Sequence, residues 1–349
     1  MADQHPAARW LRDAFPIDGE VLKEFSSEPI PNHLKRWWYA LGGTPLYLFI
    51  VLAATGISLT FYYRPSPDVA YESVSRITNE LRFGWFIRSV HHWAANLMVL
   101  AVLLHILRVF FTRAYRKPRE LNWMFGVAIL ITLFTFGFSG YSLVYEQLSY
   151  WATVVGANIA EATPIVGPYM ARFLRGGADI SSNTLTRMFV IHIGVLPTAV
   201  VGLLGLHLLQ IRLHGVAIPD GEHEADRGKT FPFFPNHLMT ELVLGLALTI
   251  LLTVLALIAP ASLGDPANPN VTPEHIKPEW YFFPMFRWLK LTSFEVGVLG
   301  AMAFVGVFLF WPFIDRLLER LFPGKGVAMW IGVVGVLTLI VFTVWEAFV

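Results

Sequence analysis

Five histidines lie inside long apolar stretches of the chain, where an ionisable side chain is costly and usually functional. His91 and His105 are 14 residues apart in one stretch, and His192 and His207 are 15 residues apart in another. In a helix the members of these pairs point within about 40° and about 60° of each other, and they lie about 21–22 Å apart along the axis. His92 faces about 140° away from His105, and we interpret it as a non-ligand.

The two pairs define two levels, because both helices are predicted to run from the outside to the inside. His91 then lies level with His192, and His105 lies level with His207. Two neutral imidazoles that face each other at one depth suit axial ligation of haem iron. The spacing therefore predicts an outer and an inner haem. The alternative is that each histidine hydrogen-bonds a neighbouring carbonyl or caps a polar network.

Glycines repeat this spacing on two further apolar stretches. Gly42 and Gly56 are 14 residues apart, and so are Gly126 and Gly140. Glycine lets a flat macrocycle approach the backbone where a Cβ would clash. A glycine at each level therefore predicts a four-helix cage around two porphyrins. Close helix packing, for which membrane helices also use glycine, is the alternative.

Three arginines, Arg88, Arg108 and Arg119, lie near the ends of the predicted helices. Guanidinium groups at these positions could pair with haem propionates. They could equally be charges that extend to the membrane surface.

The composition is that of a membrane protein. Of the 349 residues, 55% are apolar and 15% are charged, whereas soluble domains average about 25% charged residues. The net charge of +1 argues against nucleic-acid binding. The absence of cysteine excludes disulfides, iron–sulfur ligation by this chain and thioether-linked haem.

Seven stretches are long enough to cross a bilayer, which requires about 20 apolar residues. Lysine and arginine are more frequent in the loops on the side of the N-terminus, which predicts a cytoplasmic N-terminus and a C-terminus outside. We therefore predict an all-α, multi-pass membrane protein. The predicted spans are residues 37–63, 85–111, 121–144, 187–211, 238–260, 294–314 and 328–348.

The segments around the histidines resemble cytochrome b of the quinol:cytochrome c oxidoreductases, and most of all its chloroplast-type b6f branch. Residues 83–93 (FGWFIRSVHHW), His105 and residues 117–121 (KPREL) are similar to cytochrome b6. So are residues 186–192 (TRMFVIH) and the 15-residue interval that follows, where mitochondrial-type proteins have 14.

From about residue 231 onward the chain is similar to subunit IV of the same complexes. The motifs that carry this resemblance are residues 264–269 (GDPANP) and 278–284 (PEWYFFP). The resemblance implies a fusion of two chains that are separate in chloroplasts, with seven spans where mitochondrial proteins have eight.

The residue pattern of the N-terminal segment and the resemblance of the rest predict a division of the chain. Residues 1–34, which are polar, are expected to form a surface segment with an amphipathic helix interrupted at Pro16. Residues 35–215 would form a four-helix domain that holds two b-type haems. Residues 216–236 would be a linker, and residues 237–349 a three-helix domain.

One position departs from the b6 pattern. Family members carry a cysteine just before the Gly-Gly pair of the first span, and this cysteine tethers an extra haem. Here the position is Ala40. We therefore expect two non-covalent haems b and no covalent haem. The sequence leaves open whether a third haem binds loosely.

The activity implied by the resemblance is that of a subunit of a quinol:cytochrome c (or plastocyanin) oxidoreductase. Quinol would be oxidised outside by electron bifurcation, with one electron passing to a Rieske iron–sulfur protein and then to a c-type cytochrome. The other would cross through the two haems to a quinone on the cytoplasmic side, which contributes to the proton gradient. A homodimer within a larger complex, in a bacterial inner membrane, is also implied.

The quinol oxidation site is expected at Pro278, Glu279, Trp280 and Tyr281, in an outer loop beside the membrane boundary. Glu279 could take a proton from bound quinol and release it outward; a solvated loop acid is the alternative. Tyr281 is a weaker candidate for a hydrogen bond in the same pocket.

Two further residues, Arg212 and His237, are candidates for the inner quinone site. A di-haem membrane anchor of a quinone-linked dehydrogenase is the alternative function. It would explain the histidines but not the Pro-Glu-Trp-Tyr segment. A transporter or a structural seven-helix protein would need no haem.

Overall fold

The computed structural model describes residues 29–218, 228–274 and 276–349, and these residues are mainly helical. Much of the predicted surface segment 1–34 lies outside the described residues. The helices are α1 (Gly43–Thr60), α2 (Ala70–Asn79), α3 (Gly84–Phe111), α4 (Glu120–Val144), α5 (Gln147–Glu161), α6 (Gly167–Arg175), α7 (Ser182–Val190), α8 (Leu196–His214), α9 (Leu238–Ile258), α10 (Phe283–Leu291), α11 (Phe294–Leu309), α12 (Trp311–Leu321) and α13 (Val327–Phe348).

Six continuous helical segments in the described residues are long and apolar enough to cross a membrane: Tyr39–Thr60, Gly84–Phe111, Glu120–Val144, Ser182–His214, Phe233–Ile258 and Val327–Phe348. The pair α11 and α12, which is bent by 76°, makes a seventh if it is counted as one broken span. The predicted all-α membrane fold is confirmed, and its sixth span, residues 294–314, is not one straight helix.

The bend between α11 and α12 has an identifiable cause. Pro312 has no N–H to donate to the carbonyl of Phe308, four residues earlier, so the helix cannot continue regularly. That carbonyl instead accepts a hydrogen bond from Trp123 Nε1 at 2.7 Å. The break therefore leaves no unsatisfied acceptor at this position, and it ties α11 to α4.

The four helices α1, α3, α4 and α8 form two packed pairs, α1 with α3 and α4 with α8. An apolar core joins α1, α3 and α4 to α9, with Leu48, Met98, Leu130 and Leu252 almost fully buried. Because lipid tails are as apolar as leucine, close packing rather than the hydrophobic effect holds such helices together.

A short antiparallel sheet joins the segment before α1 to the segment before α9. Strand β1 (Pro29–Pro31) pairs with β2 (Thr230–Pro232), with Ile30 opposite Phe231. The predicted linker, residues 216–236, therefore contains ordered structure after residue 228.

A polar clamp joins the α3–α4 loop to α12. Arg116 donates two hydrogen bonds to Asp315, with Nε to Oδ2 at 2.7 Å and Nη2 to Oδ1 at 3.1 Å. Asp315 is 1% exposed. Beside this pair, Trp311 Nε1 donates to the hydroxyl of Tyr115 at 3.1 Å. The clamp fixes the C-terminal helices against the four-helix part.

Removing either partner of this ion pair should have unequal effects on stability. We expect Arg116→Met to lower the free energy of unfolding by about 3 kcal/mol, because it leaves the buried Asp315 carboxylate without its cation. Asp315→Asn should cost only about 1 kcal/mol, since Arg116 is 37% exposed and Glu319 lies 3.5 Å away. Denaturant unfolding of both purified variants measures this difference. Equal losses would contradict the assignment of Asp315 as the buried charge.

Candidate histidine pairs and the loop beside them

The four interior histidines meet as two facing pairs. The ring centroids of His91 and His192 are 6.4 Å apart with planes at 67°, and those of His105 and His207 are 6.5 Å apart at 73°. An imidazole nitrogen binds a metal at about 2 Å and its ring centroid lies about 1.1 Å behind it, so two axial ligands of one iron place their centroids about 6.2 Å apart. Both pairs therefore fit a six-coordinate haem iron.

Three of the four rings have a polar partner on Nδ1, the nitrogen that an axial ligand leaves free. These contacts are His91 with Thr55 Oγ1 at 2.9 Å, His192 with Ser139 Oγ at 3.0 Å, and His207 with the carbonyl of Asn122 at 3.1 Å. The Nδ1 atom of His105 is buried, and no hydrogen-bond partner for it is present in the described part of the chain. The contacts orient the rings as partners of metal-bound histidines do.

The hydroxyl partners also set the tautomer. Thr55 donates its own proton to the carbonyl of Val51 at 2.7 Å, so its oxygen is left to accept from His91 Nδ1. The serine beside the second ring does the same, because Ser139 donates to the carbonyl of Phe136 at 3.2 Å. A proton on Nδ1 leaves the lone pair of Nε2 free for a metal.

The extra residue between the second pair of histidines is taken up by a π-helical turn, Ile191–Val195, that contains His192. Leu196 donates its N–H to the carbonyl of Ile191, five residues earlier. Pro197 follows at the start of α8 and has no N–H for the carbonyl of Ile193, which favours this wider turn.

Each of the four glycines lies against one histidine ring. A Cβ added to Gly56 or Gly140 would stand 3.2 Å from Cε1 of His91 or 2.7 Å from Cε1 of His192, respectively. At the other level the gaps are wider: 3.8 Å from Gly42 to His105 and 3.6 Å from Gly126 to His207. The glycines leave room for the ligand rings themselves.

These distances predict which glycine-to-alanine substitutions should displace a histidine ring most. Gly140→Ala should lower haem affinity at the His192 level about tenfold or more, because the new methyl group must displace the ring and shifted ligand contacts typically cost 10–100-fold in metal affinity. Gly42→Ala, with ordinary contact distance to His105, is the matched control and should keep both haems. Haem content of the two purified variants measures the difference. Equal haem loss from both would contradict the ranking.

Two of the three candidate arginines are engaged with main-chain carbonyls. Arg88 donates to the carbonyls of residues 261–262, both at 2.8 Å. Arg119 donates to those of residues 214–215 at 3.0 and 3.2 Å. Both thus tie a loop to the end of a span.

Arg108 differs from them, because its Nε is buried and has no hydrogen-bond partner among the described residues. Its guanidinium carbon lies 4.9 Å from the ring centroid of Tyr39. Since Arg108 follows His105 by three residues on α3, it presents a spare buried donor near the second histidine pair. A haem propionate is a group that such a donor suits.

The Pro278–Tyr281 segment lies at the end of the bundle that carries His91 and His192, which we call the outer end after the predicted orientation. Tyr281 packs against Gly137 of α4, three residues before the glycine that faces His192. Burial, followed by the nearby Glu279 carboxyl group, raises the pKa of the Tyr281 hydroxyl, which therefore stays protonated.

Glu279 is half-buried, and burial followed by the charge of Glu146 raises the pKa of its carboxyl group. Sequence analysis missed Glu146. It follows Tyr145, which ends α4 in the left-handed conformation at φ 55°. Its Oε2 accepts the N–H of Gly264 at 2.6 Å, so it joins the two outer loops. The sequence signal for Glu146 was an acid two residues beyond the end of the predicted span 121–144.

The inner candidates lie at two span ends. Arg212 is in the last turn of α8, and His237 directly precedes α9. His237 Nε2 lies 3.8 Å from Oε1 of Glu241, whose carboxylate reaches the backbone of Gly43 beside Gly42. Glu241 was also missed, although an acid four residues after a histidine inside a predicted span was a readable signal.

Comparison with known proteins gives concordant matches. Residues 25–215 match the family model described as Cytochrome b/b6/petB, and residues 266–347 match the one described as Cytochrome b(C-terminal)/b6/petD. Cytochrome b6 of Heliobacterium modesticaldum is 44% identical over 210 residues, which are 60% of this chain and 99% of that protein.

Longer relatives cover both parts. A cytochrome bc complex cytochrome b subunit of Chlorobaculum thiosulfatiphilum is 38% identical over 315 residues, 88% of this chain and 73% of that protein. Among solved structures, a chain of a hyperthermophilic respiratory Complex III matches with a TM-score of 0.80 and 24% identity over 96% of each chain, which shows the same fold.

Proposed function

This chain belongs to the cytochrome b family and is an integral-membrane cytochrome b subunit of a bc-type quinol oxidoreductase, and from that premise we propose that it oxidises quinol at the outer end of its helices and reduces quinone at the inner end. The proposal divides the chain into the four-helix part, residues 35–215, and the three-helix part, residues 237–349.

The histidine pairs suit two non-covalent haems b. His91 and His192 would hold the outer haem, His105 and His207 the inner one, and Arg108 would pair with a propionate. When bound, the haems supply a path for single electrons from the outer end of the bundle to the inner end.

Glu279 acts as the proton acceptor for quinol. A carboxylate whose pKa is raised by burial and by Glu146 is a better base than an ordinary loop acid, because its affinity for a proton is closer to that required at neutral pH. Tyr281 keeps its proton and can donate a hydrogen bond in the same pocket. Glu146, the nearest acid to act on Glu279, accepts the N–H of Gly264 and is proposed as the next group on the proton's way outward.

Quinol gives up two electrons, and in a bifurcated reaction they go to different acceptors. The first passes to a Rieske iron–sulfur partner and then to a c-type cytochrome, since this chain has no cysteine for an iron–sulfur cluster. The second crosses toward the inner end, where Arg212 would bind a quinone and the His237–Glu241 pair would supply protons. Two quinols must be oxidised outside to deliver the two electrons that, with two protons, reduce one quinone to quinol. A homodimer in a bacterial inner membrane, with the N-terminus in the cytoplasm, completes the proposal.

The observation that carries this proposal is the position of Glu279 at the same end of the bundle as His91 and His192. A dehydrogenase anchor gives no reason for this arrangement, and the match of residues 266–347 to the C-terminal part of cytochrome b also speaks against it.

Bifurcation can be tested in the assembled complex with the inner quinone site blocked by an inhibitor. The c-type cytochrome is first oxidised in the presence of quinol. We then expect the b-type haems to gain one electron for each electron that the cytochrome receives. If both electrons of quinol reach the cytochrome and the b-type signal does not change, bifurcation is wrong.

A further inference from the structure

Trp280, the residue after Glu279, is fixed to α3 by a hydrogen bond that the proposed mechanism does not use. Its indole Nε1 donates to Oδ1 of Asn96 at 2.7 Å. The amide of Asn96 is held in turn, because its Nδ2 donates to the main-chain carbonyl of His92 at 2.9 Å. Both ends of this one side chain are therefore occupied, which fixes the orientation of its oxygen toward the indole.

The neighbouring residues attach the same turn to α4. Trp280–Phe282 forms a single 3₁₀ turn, closed by the N–H of Phe282 on the carbonyl of Glu279 at 2.9 Å. The rings of Tyr281 and Phe282 lie 6.2 and 5.8 Å from that of Phe134. The turn thus spans from α3 to α4. It rests on α4 through ring contacts, and the Trp280–Asn96 bond joins it to α3.

We infer that Asn96 is a positioning residue for quinol oxidation, which holds Glu279 in place through Trp280. The inference rests on the proposed function of Glu279. A hydrogen bond from a part-buried indole N–H has a strict direction, so it fixes the rotation of the turn about the ring contacts on α4. The carboxylate that precedes the turn keeps its place only while that rotation is fixed.

The surroundings of Glu279 make its activity sensitive to such a rotation. Glu146, at the start of α5, raises the pKa of Glu279, and Tyr141, on α4, together with Glu279 raises the pKa of the neighbouring Tyr281. If the turn is released, Glu279 becomes more solvated and moves relative to Glu146. Its apparent pKa should then fall.

The test compares Asn96→Leu, Trp280→Phe and the double variant in the complete complex. Asn96→Leu is expected to lower kcat for quinol oxidation about tenfold, with KM changed less than about twofold, because the indole N–H loses its acceptor while the pocket keeps its lining. The inflection of the rate against pH should move to lower pH. The double variant should be no slower than Trp280→Phe alone, since both changes break one bond.

Met98→Leu, a volume-conserving change on the same helix, is the matched control and should leave the rate and its pH profile unchanged. Haem content and b-type absorption report folding of every variant. If Asn96→Leu slows the Trp280→Phe variant as much as it slows the wild type, Asn96 does not act through the indole, and the inference is overturned. A wild-type rate and profile for Asn96→Leu overturns it as well.

A Glu279→Gln variant separates this inference from the proposed function. When Glu279→Gln is slow and Asn96→Leu is not, only the positioning role is refuted. When Glu279→Gln is as fast as the wild type, the proton-acceptor role fails, and the positioning role fails with it.

Discussion

We expect the His192→Leu variant to bind one haem b and the wild type to bind two. Leucine has no lone pair to bind iron, and the facing His91 cannot complete the ligand pair alone. The second pair, about 21–22 Å away along the helices, is unaffected because it uses no part of the His192 turn. Haem quantitation against protein concentration, together with a redox titration, gives the number of haems and shows which potential is lost.

His92, which is adjacent to His91 in the sequence, offers a matched control for the His192→Leu variant. Its ring packs against Trp93, with centroids 5.6 Å apart, rather than facing a second histidine across the bundle. His92→Leu should therefore retain both haems. Retention of both haems by His192→Leu would refute the assignment of the outer ligand pair, and loss of both would refute the independence of the two levels.

Quinol oxidation should fall about 100-fold in Glu279→Gln at neutral pH. Glutamine keeps the shape of the side chain but cannot take a proton, and general-base catalysis typically contributes 10²–10⁴-fold. If Glu279 is the proton acceptor that we propose, the wild-type rate requires its ionised carboxylate. The rate should therefore fall as pH decreases through the pKa of Glu279, which burial and Glu146 raise above its ordinary value. The glutamine variant should show no such decrease.

The control for this experiment is Glu274→Gln, which removes an exposed acid from the same loop. It should leave both the rate and its pH dependence unchanged. A Glu279→Gln enzyme that keeps the wild-type profile would exclude Glu279 as the proton acceptor. A profile that changes equally in both variants would point to the overall charge of the loop instead.

The helices and the facing of His91 and His105 followed from the sequence because α3 is one continuous α-helix. In a bilayer each backbone group must be satisfied within its own segment, so a long apolar stretch is expected to be helical. His91 and His105 therefore face one way whatever surrounds them. The glycine spacing also predicted that the glycines lie at the levels of the histidines. It could not show whether Gly140 contacts a porphyrin or the ring of His192.

What could not be predicted depends on contacts between segments far apart in the sequence. The break after α11 is marked by Pro312, but the acceptor that it frees is satisfied by Trp123, 185 residues away from Phe308. The approach of Glu146 to the loop at Gly264 is of the same kind. No periodicity reports such pairs, because they depend on how whole helices pack.

The π-helical turn at Ile191–Val195 has a consequence for comparing chains of this family. It accommodates one residue without rotating the helix beyond it, so a 15-residue interval containing the turn presents its histidines as a regular 14-residue interval does. Loss of one residue within the turn would leave His192 and His207 facing His91 and His105 as before. Loss of one residue between His91 and His105, where α3 is regular, would swing one of them by about 100°. The loss of one residue between the paired histidines is thus expected to be tolerated in the segment with the π-helical turn and not in α3.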